Sequence, residues 1–157
     1  MASSTPTKED TPPPAVKSVS ARKVFLFIQE AISELAKCNP EMAIKLYLEC
    51  ALAADRLAVA ANKDTFAPIT YELFTQAFSL YEGSSGDTML QSRCVPPAIG
   101  ALMACRRISK EDYERLIMKT AQYAAKLLKK TDQCEMVAMC SYLFYVVDED
   151  VSDRESN

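Results

Sequence analysis

The sequence predicts an all-α protein, an α-α superhelix in which about six antiparallel helices form three pairs of a HEAT-like helical solenoid. Only three glycines occur among 157 residues, whereas 49% of the residues are apolar, a composition that favours helices over the tight turns of a β-sandwich. Helices are predicted to begin near residues 20, 41, 66, 87, 109 and 132, so every second start recurs after about 43 to 46 residues. This interval fits the ~40–47 residues of HEAT-type pairs better than the ~34 of tetratricopeptide repeats.

Composition divides the chain into three segments. Residues 1–19 are rich in serine, threonine and proline and are expected to form a disordered leader, because they lack the apolar side chains needed for a core. Residues 20–147 carry the helical solenoid. Residues 148–157 are expected to form a disordered acidic tail with a net charge of −4, so the rest of the chain, from a total of −3, carries only +1. A nearly neutral body gives no electrostatic reason to expect nucleic acid or an anionic membrane surface as a partner.

The first two predicted helices cover about residues 20–37 and 41–62. Asn39 followed by Pro40 is typical of an N-cap and the first helical position. The second helix is rich in alanine, which permits close helix approach and suits an inner layer. The first helix has an apolar stripe that is expected to be buried: Val24, Phe27, Ile28, Ala31, Ile32 and Leu35.

The third predicted helix begins near Phe66 or Pro68, ends at the turn of residues 83–86, and is the segment around which the stack is organised. One stripe at helical spacing contains Phe74, Ala77, Phe78 and Tyr81, and a second contains Ile69, Leu73 and Leu80. A helix that is apolar on two sides needs neighbours on two sides, so we expect it in the middle of the stack.

Asp87 is the predicted N-cap of a fourth helix that runs to about Arg107. Pro96-Pro97 is expected to kink or break its first turns, because proline lacks an N–H and clashes with the preceding turn. Its expected buried stripe is Leu90, Cys94, Pro97, Ala98, Ala101, Leu102 and Cys105.

Ser109 is predicted to begin the fifth helix as part of a near capping box. Asp112 stands at the position where a capping box has Glu or Gln. Asp132 starts the sixth, which is predicted to run to Val147. The stripe of the fifth contains Tyr113, Leu116, Ile117, Thr120, Ala121, Ala124, Leu127 and Leu128; that of the sixth contains Met136, Val137, Met139, Cys140, Leu143, Phe144 and Val147.

No catalytic, cofactor-binding or metal-binding residue is predicted, and we do not expect an enzyme. The chain has no histidine, which removes the common catalytic triads and histidine metal ligation. It also lacks a CxxC pair and a glycine-rich phosphate loop. An enzymatic alternative would require turnover that depends on Glu72 or Asp112. Arg106 and Arg107 with Lys110 form a small basic spot that is interpreted as a solvated helix end.

The six cysteines are interpreted as reduced thiols of a cytosolic protein. They lie within helical patterns, where cysteine behaves as a small apolar residue, and no amino-terminal apolar run resembles a signal peptide. No stretch reaches 18 uninterrupted apolar residues, so the sequence predicts no bilayer span.

Several separated segments, in colinear order over about residues 22–146, resemble the carboxy-terminal half of the vacuolar protein sorting-associated protein 35 family, the large subunit of retromer. The similarity is most evident at 70–82 (TYELFTQAFSLYE) and 124–133 (AAKLLKKTDQ), and it is also seen at 42–50, 54–55, 99–102 and 111–113. Several matches in order are more specific than one short motif.

The resemblance implies a helical solenoid that acts as a scaffold, with no cofactor. Its implied partner is the small retromer subunit, which has a metallophosphoesterase-like fold, and other retromer components would be bound indirectly. The implied localisation is the cytosolic face of endosomes. There the chain would be a peripheral protein that contacts the membrane only through the complex. The implied process is retrograde transport of cargo receptors from endosomes to the Golgi.

The chain departs from the family at three points. The family's amino-terminal Pro-Arg-Leu-Tyr-Leu motif is absent, and the similar residues 45–48 align to a different helix. Pro96-Pro97 falls where the family has an uninterrupted apolar helix. The family continues for several helices beyond Tyr145, so the chain is a fragment, a truncated product or a divergent short relative.

Two non-enzymatic hypotheses follow from the sequence. The first is a scaffold segment that docks the small subunit by burying an apolar groove formed by adjacent helix ends. The alternative is an independent helical-repeat adaptor that binds peptide motifs through a concave face. The sequence assigns no partner-binding residue, because core and interface positions have the same composition.

Overall fold

All regular elements of the described chain are helical in the computed structural model, which describes the backbone of residues 20–62 and 64–152 and the side chains of residues 20–62 and 65–145. The all-α prediction is confirmed. The elements are α1 (Ala21–Ala36), α2 (Pro40–Ala61), a 3-10 turn (Asp64–Phe66), α3 (Ala67–Gly83), α4 (Thr88–Ala104), α5 (Lys110–Ala125) and α6 (Lys130–Ser152).

The predicted boundaries agree with the observed helices to within a few residues, except at the end of α6. This helix begins at Lys130 rather than Asp132 and continues to Ser152, past the predicted end at Val147. The predicted leader, residues 1–19, and the last five positions of the predicted tail, residues 153–157, lie outside the described residues.

Side-chain caps begin three of the helices at the predicted residues. The Asn39 side chain accepts a hydrogen bond from the Met42 amide at 3.0 Å, and Asp87 accepts from two amides of the first turn of α4. Ser109 accepts from the Asp112 amide at 3.2 Å and donates to the Asp112 carboxylate at 2.7 Å. Each cap satisfies amide groups that have no partner within the helix, a contribution of about 1 kcal/mol.

The predicted break at Pro96-Pro97 does not occur, because α4 runs through both prolines. The flanking Val95, Ala98 and Ile99 are buried against neighbouring helices. Tertiary packing therefore maintains the helix across two residues that cannot donate a backbone hydrogen bond.

The helices form two layers. One layer consists of α2, α4 and α6, in which α2 contacts α4 and α4 contacts α6. The other layer consists of α1, α3 and α5, which pack against the first. The most extensive contact joins α3 to α2 rather than to α4, so the stack is continuous and its helices do not form three isolated pairs. This two-layer succession is consistent with an all-α helical solenoid.

The centre of the core is the junction of α2 and α3. Ala43, Ala51, Ala54 and Ala58 of α2 are fully buried, as are Leu73, Phe74 and Ala77 of α3. The small side chains of α2 allow the larger residues of α3 to approach closely. Each large buried side chain contributes roughly 1.5–3 kcal/mol, and the predicted stripe of α3 is confirmed as core.

The two end helices bury only part of the face predicted for each. Phe27 is 71% exposed and Val24 is 42% exposed, while Phe25 and Ile32 are buried. In α6, Val137 and Phe144 are exposed, and Met136, Cys140 and Leu143 are buried. The predicted faces of these helices were therefore wrong in part, because each has apolar residues on two sides and a neighbouring layer on only one.

Buried polar groups are satisfied within the described residues. Asp55, which is 2% exposed, accepts hydrogen bonds from the backbone amides of Arg106 at 2.9 Å and Arg107 at 2.8 Å. A carboxylate in the middle of α2 therefore anchors the turn between α4 and α5. Thr70 and Thr120 donate to backbone carbonyls of their own helices.

Candidate partner-binding surfaces

Glu72 and Asp112, on which an enzymatic function would depend, each make contacts within their own helix. Glu72 is exposed on α3 and accepts a hydrogen bond from Gln76 at 2.7 Å. Asp112 belongs to the N-cap of α5 and lies 3.9 Å from Arg115. In the described ranges, no three histidine, cysteine, aspartate or glutamate side chains group in a way that could hold a metal ion.

The basic spot predicted at Arg106, Arg107 and Lys110 lies at the turn between α4 and α5. The Arg107 guanidinium donates to Asn62 at 2.6 Å, and the amides of both arginines donate to Asp55. These contacts fix the turn to the end of α2, which gives the spot a structural role.

All six cysteines are free thiols. Burial raises the pKa of the Cys105 thiol to about 12 and that of Cys94 to about 11. Both thiols remain protonated at neutral pH, so they pack as small apolar groups and do not act as nucleophiles. Among the helices of residues 20–62 and 64–152, none is both long and apolar enough to cross a bilayer.

The outer surface of the α2–α4 layer exposes methionine, leucine and small residues, together with the charged side chains of Glu49, Arg56 and Arg93. It faces away from α3, because the opposite side of α2 is the buried alanine face. Its methionines are 38–56% exposed. We call this surface the even-helix face and define it by Met42, Leu46, Ala53 and Leu57 of α2 with Met89, Gly100 and Met103 of α4.

Gly100 is the most informative residue of the even-helix face. Its backbone φ is not positive, and a Cβ added to it would have no neighbouring atom within 4 Å. A glycine within a helix costs about 1 kcal/mol relative to alanine, and packing within the described chain does not require it. A glycine at this position would, however, allow another molecule to approach the helix closely.

An ion-pair group borders the even-helix face where α2 and α4 begin. Glu41 lies 2.6 Å from Lys45 and 3.4 Å from Arg93, which joins the two helices. The hydrogen bond from Lys45 is the main cause that lowers the pKa of Glu41. The face therefore combines exposed apolar side chains with charged ones, a mixture that ordinary protein interfaces also show.

A second surface lies between α3 and α5, on the other layer. The carboxy-terminal ends of these helices are joined by the Tyr123 hydroxyl, which donates to Glu82 at 2.5 Å, and by Lys119, which lies 3.2 Å from the same carboxylate. The Tyr123 ring also packs on Phe78 at 5.4 Å and Tyr81 at 4.5 Å between centroids. We call the Glu82–Lys119–Tyr123 cluster the latch.

The latch changes the acidity of its members. The hydrogen bond from Tyr123, followed by that from Lys119, lowers the pKa of Glu82. Burial and then the Glu82 carboxylate raise the pKa of Tyr123 above its usual value. Burial raises the pKa of Tyr81 to about 12. At neutral pH the latch therefore combines an ionised carboxylate with a neutral phenol.

Towards the amino-terminal ends of the same helices, α3 and α5 leave a groove of about 570 Å³. We call this the α3–α5 groove. It is lined by Tyr71, Thr75 and Phe78 of α3 and by Glu111, Glu114, Arg115, Leu116, Met118 and Lys119 of α5.

Sequence reasoning assigned no partner-binding residue, and neither surface was identified from the pattern. The sequence predicts a docking groove at adjacent helix ends, and that remains a prediction; the even-helix face runs along α2 and α4. One signal was available, since Met42 and Leu46 lie at helical spacing opposite the alanine stripe of α2. The α3–α5 groove had no local signal, because it depends on the distance between two helices.

Comparison with known proteins identifies one family. The model of the family described as vacuolar protein sorting-associated protein 35 matches residues 3–156. Vacuolar protein sorting-associated protein 35A of Arabidopsis thaliana is 40% identical over 152 residues, which cover 96% of this chain and 18% of the relative. The protein 35 of Schizosaccharomyces pombe is 38% identical over 128 residues, covering 80% of this chain and 14% of the relative. The chain spans less than a fifth of the length of these curated relatives.

Proposed function

The chain belongs to the vacuolar protein sorting-associated protein 35 family, and we propose that it acts as a non-enzymatic scaffold, as a segment of a retromer large subunit. The names of its relatives connect the family with vacuolar protein sorting. The specific task that we propose is to hold the small retromer subunit of metallophosphoesterase-like fold. This would support retrograde transport of cargo receptors from endosomes to the Golgi.

The proposed mechanism is burial of the even-helix face against the small subunit. The exposed methionines and the unexplained Gly100 on this face support it. Methionine side chains adapt their shape to a partner surface, and a glycine lets a partner backbone approach a helix closely. The charged residues of this face are of both signs and form no basic patch for nucleic acid, and contact with a membrane would come only through the complex.

The size of the even-helix face supports a folded protein as the partner. The 22 residues of α2 extend about 33 Å, and neighbouring helices lie roughly 10 Å apart. Two such helices therefore offer on the order of 600 Å², which approaches the ~800 Å² that each partner buries in a standard interface. Other retromer components would be bound indirectly, on the cytosolic face of endosomes.

Co-purification tests the proposal. The full chain with an affinity tag is mixed with the purified small subunit, and the eluted complex is analysed by size-exclusion chromatography. We expect the two proteins to elute together at equal stoichiometry. A chain that is helical by circular dichroism but elutes alone would contradict the proposal.

An independent adaptor that binds peptide motifs is the alternative function. The α3–α5 groove is the observation that favours it, since a groove of about 570 Å³ accommodates a short segment better than a folded domain. Affinity capture from cell extract distinguishes the two. Retromer subunits among the captured proteins support the scaffold, whereas proteins that share a linear motif, without retromer subunits, support the adaptor.

A further inference from the structure

The two ends of the α3–α5 pair differ in how closely the helices are joined. At the carboxy-terminal ends, Glu82 is bound by Tyr123 and Lys119. Near the amino-terminal ends, Tyr71 and Thr75 lie across a groove from Glu111 and Glu114. The backbones of α3 and α5 come close at far fewer points than those of α2 and α3. The latch therefore lies at one end of the α3–α5 groove.

The base of the α3–α5 groove and part of its edge are apolar. Phe78 and Leu116 are buried and form its base, while Tyr71 is half-buried and Met118 is 52% exposed at its edge. A volume of about 570 Å³ falls within the ~300–1,000 Å³ of typical ligand sites. This is enough for two or three side chains of an extended segment and too little for a folded domain.

Some charged side chains around the α3–α5 groove are already paired within the chain, whereas others could pair with a ligand. Its two cations are already engaged, Arg115 by Glu111 at 2.5 Å and Lys119 by Glu82 at 3.2 Å. Glu114 has no ion-pair partner within the part of the chain that the structure describes, and it lies directly on the groove. The unbalanced charge at the groove is therefore negative, which favours a cationic group on whatever binds there.

We propose that the α3–α5 groove binds a short linear peptide segment of another protein, with an aliphatic or aromatic side chain next to lysine or arginine. The apolar side chain enters between Tyr71 and Met118 and rests on Phe78 and Leu116. The neighbouring cation pairs with Glu114. The groove is too small for the ~800 Å² per partner that a stable dimer of this chain would bury, and the unpaired carboxylate disfavours a purely apolar ligand.

The inference rests on the peptide-binding function proposed for this groove, for which it names the ligand class, and it concerns a different layer from the even-helix face. A variant of the groove is therefore expected to leave binding of the small subunit unchanged, and a variant of the even-helix face to leave peptide binding unchanged. Failure of one proposal is distinguishable from failure of the other.

Selection from a displayed library of random twelve-residue peptides on the immobilised full chain tests the proposal. We expect enrichment of peptides that have leucine, isoleucine or phenylalanine next to lysine or arginine. The affinity of the enriched peptides, labelled with fluorescein, is then measured by fluorescence anisotropy. Glu114→Lys and Met118→Lys are each expected to weaken binding at least tenfold.

Leu26→Lys is the matched control, since Leu26 is 55% exposed on α1 and belongs to neither surface, and we expect it to leave peptide affinity unchanged. A second selection on Glu114→Lys should enrich peptides with aspartate or glutamate at the cationic position. All variants are first shown to be helical by circular dichroism. The absence of any enriched peptide, or equal affinity for the original chain and for Glu114→Lys, would overturn the proposal.

Discussion

The even-helix face and the α3–α5 groove differ in shape, charge and construction. The first is broad and uses exposed methionines and Gly100 on two adjacent helices. The second is narrow and has an apolar base bordered by charged residues of α5. One helical stack therefore presents two kinds of surface, because helices in the same layer can be either closely packed or held apart.

The two surfaces rest on the same hydrophobic core, so some substitutions are expected to affect binding at both. Both depend on the junction of α2 and α3, where fully buried residues of each helix meet. Changes at this junction should affect both sites together, whereas changes at the latch or on the outer surface should affect one site alone.

The largest effect is expected from Phe74→Ala. Phe74 is fully buried and packs on Phe78 with ring centroids 6.2 Å apart. Removing its ring leaves a cavity between α2 and α3, and we expect a loss of about 4 kcal/mol in the free energy of unfolding. Urea denaturation of the full chain measures it. Phe27→Ala removes a ring that is 71% exposed and should cost less than about 0.5 kcal/mol; equal losses would contradict the assigned core.

Asp55→Ala should have the next largest effect. The change leaves the amides of Arg106 and Arg107 without the carboxylate that accepts from both. We expect a loss of about 3 kcal/mol, because two buried donors lose their partner. Glu49→Ala, on the exposed side of the same helix, is the control, and a comparable loss there would show that Asp55 is not the anchor of the α4–α5 turn.

Tyr123→Phe should separate the two sites, because it breaks the latch and spares the core. Loss of the hydrogen bond to ionised Glu82 is expected to cost about 1.5 kcal/mol at pH 7. The affinity of the α3–α5 groove for its peptide should change. The affinity of the even-helix face for the small subunit should not. Tyr142→Phe changes a side chain that is 62% exposed and should leave stability unchanged.

The effect of Tyr123→Phe should also depend on pH. Tyr123 and Lys119 lower the pKa of Glu82 below its usual 4.5, so the folded state favours the ionised carboxylate. The resulting stability is present above about pH 4.5 and is lost as the pH falls through the folded pKa. The difference between the original chain and Tyr123→Phe should therefore narrow between pH 5 and pH 3. A constant difference over this range would show that Glu82 is not the partner that matters.

The smallest effect, with the opposite sign, is expected from Gly100→Ala. The added Cβ meets no atom within 4 Å, and alanine favours the helix by about 1 kcal/mol over glycine. Thermal unfolding should show a higher midpoint for the variant. A lower midpoint would indicate that Gly100 has a role in the fold itself and would weaken the argument for an approaching partner.

Much of the fold was predictable because helix periodicity and capping are local properties of the sequence. The stripe of α3 at Phe74, Ala77, Phe78 and Tyr81 proved to be core, and Asn39, Asp87 and Ser109 proved to be caps. The same reasoning failed at Phe27 and Phe144, because an end helix with two apolar sides does not indicate which side has a neighbour.

Other features depended on contacts between distant residues and had no local signal. Asp55 resembles any surface aspartate of a helix until its distance to the amides of Arg106 and Arg107 is known. The continuity of α4 through Pro96 also depends on packing with other helices. The α3–α5 groove could not be assigned from sequence, since Met118 is as apolar as a core residue.

The most direct test of the account compares Gly100→Arg with Met118→Lys in binding to the small subunit, measured by isothermal titration calorimetry. Gly100→Arg places a long charged side chain in open space on the even-helix face, and Met118→Lys alters the groove on the other layer. The account predicts at least a tenfold loss of affinity for Gly100→Arg and an unchanged affinity for Met118→Lys. Unchanged affinity for Gly100→Arg, with both variants folded, would contradict it.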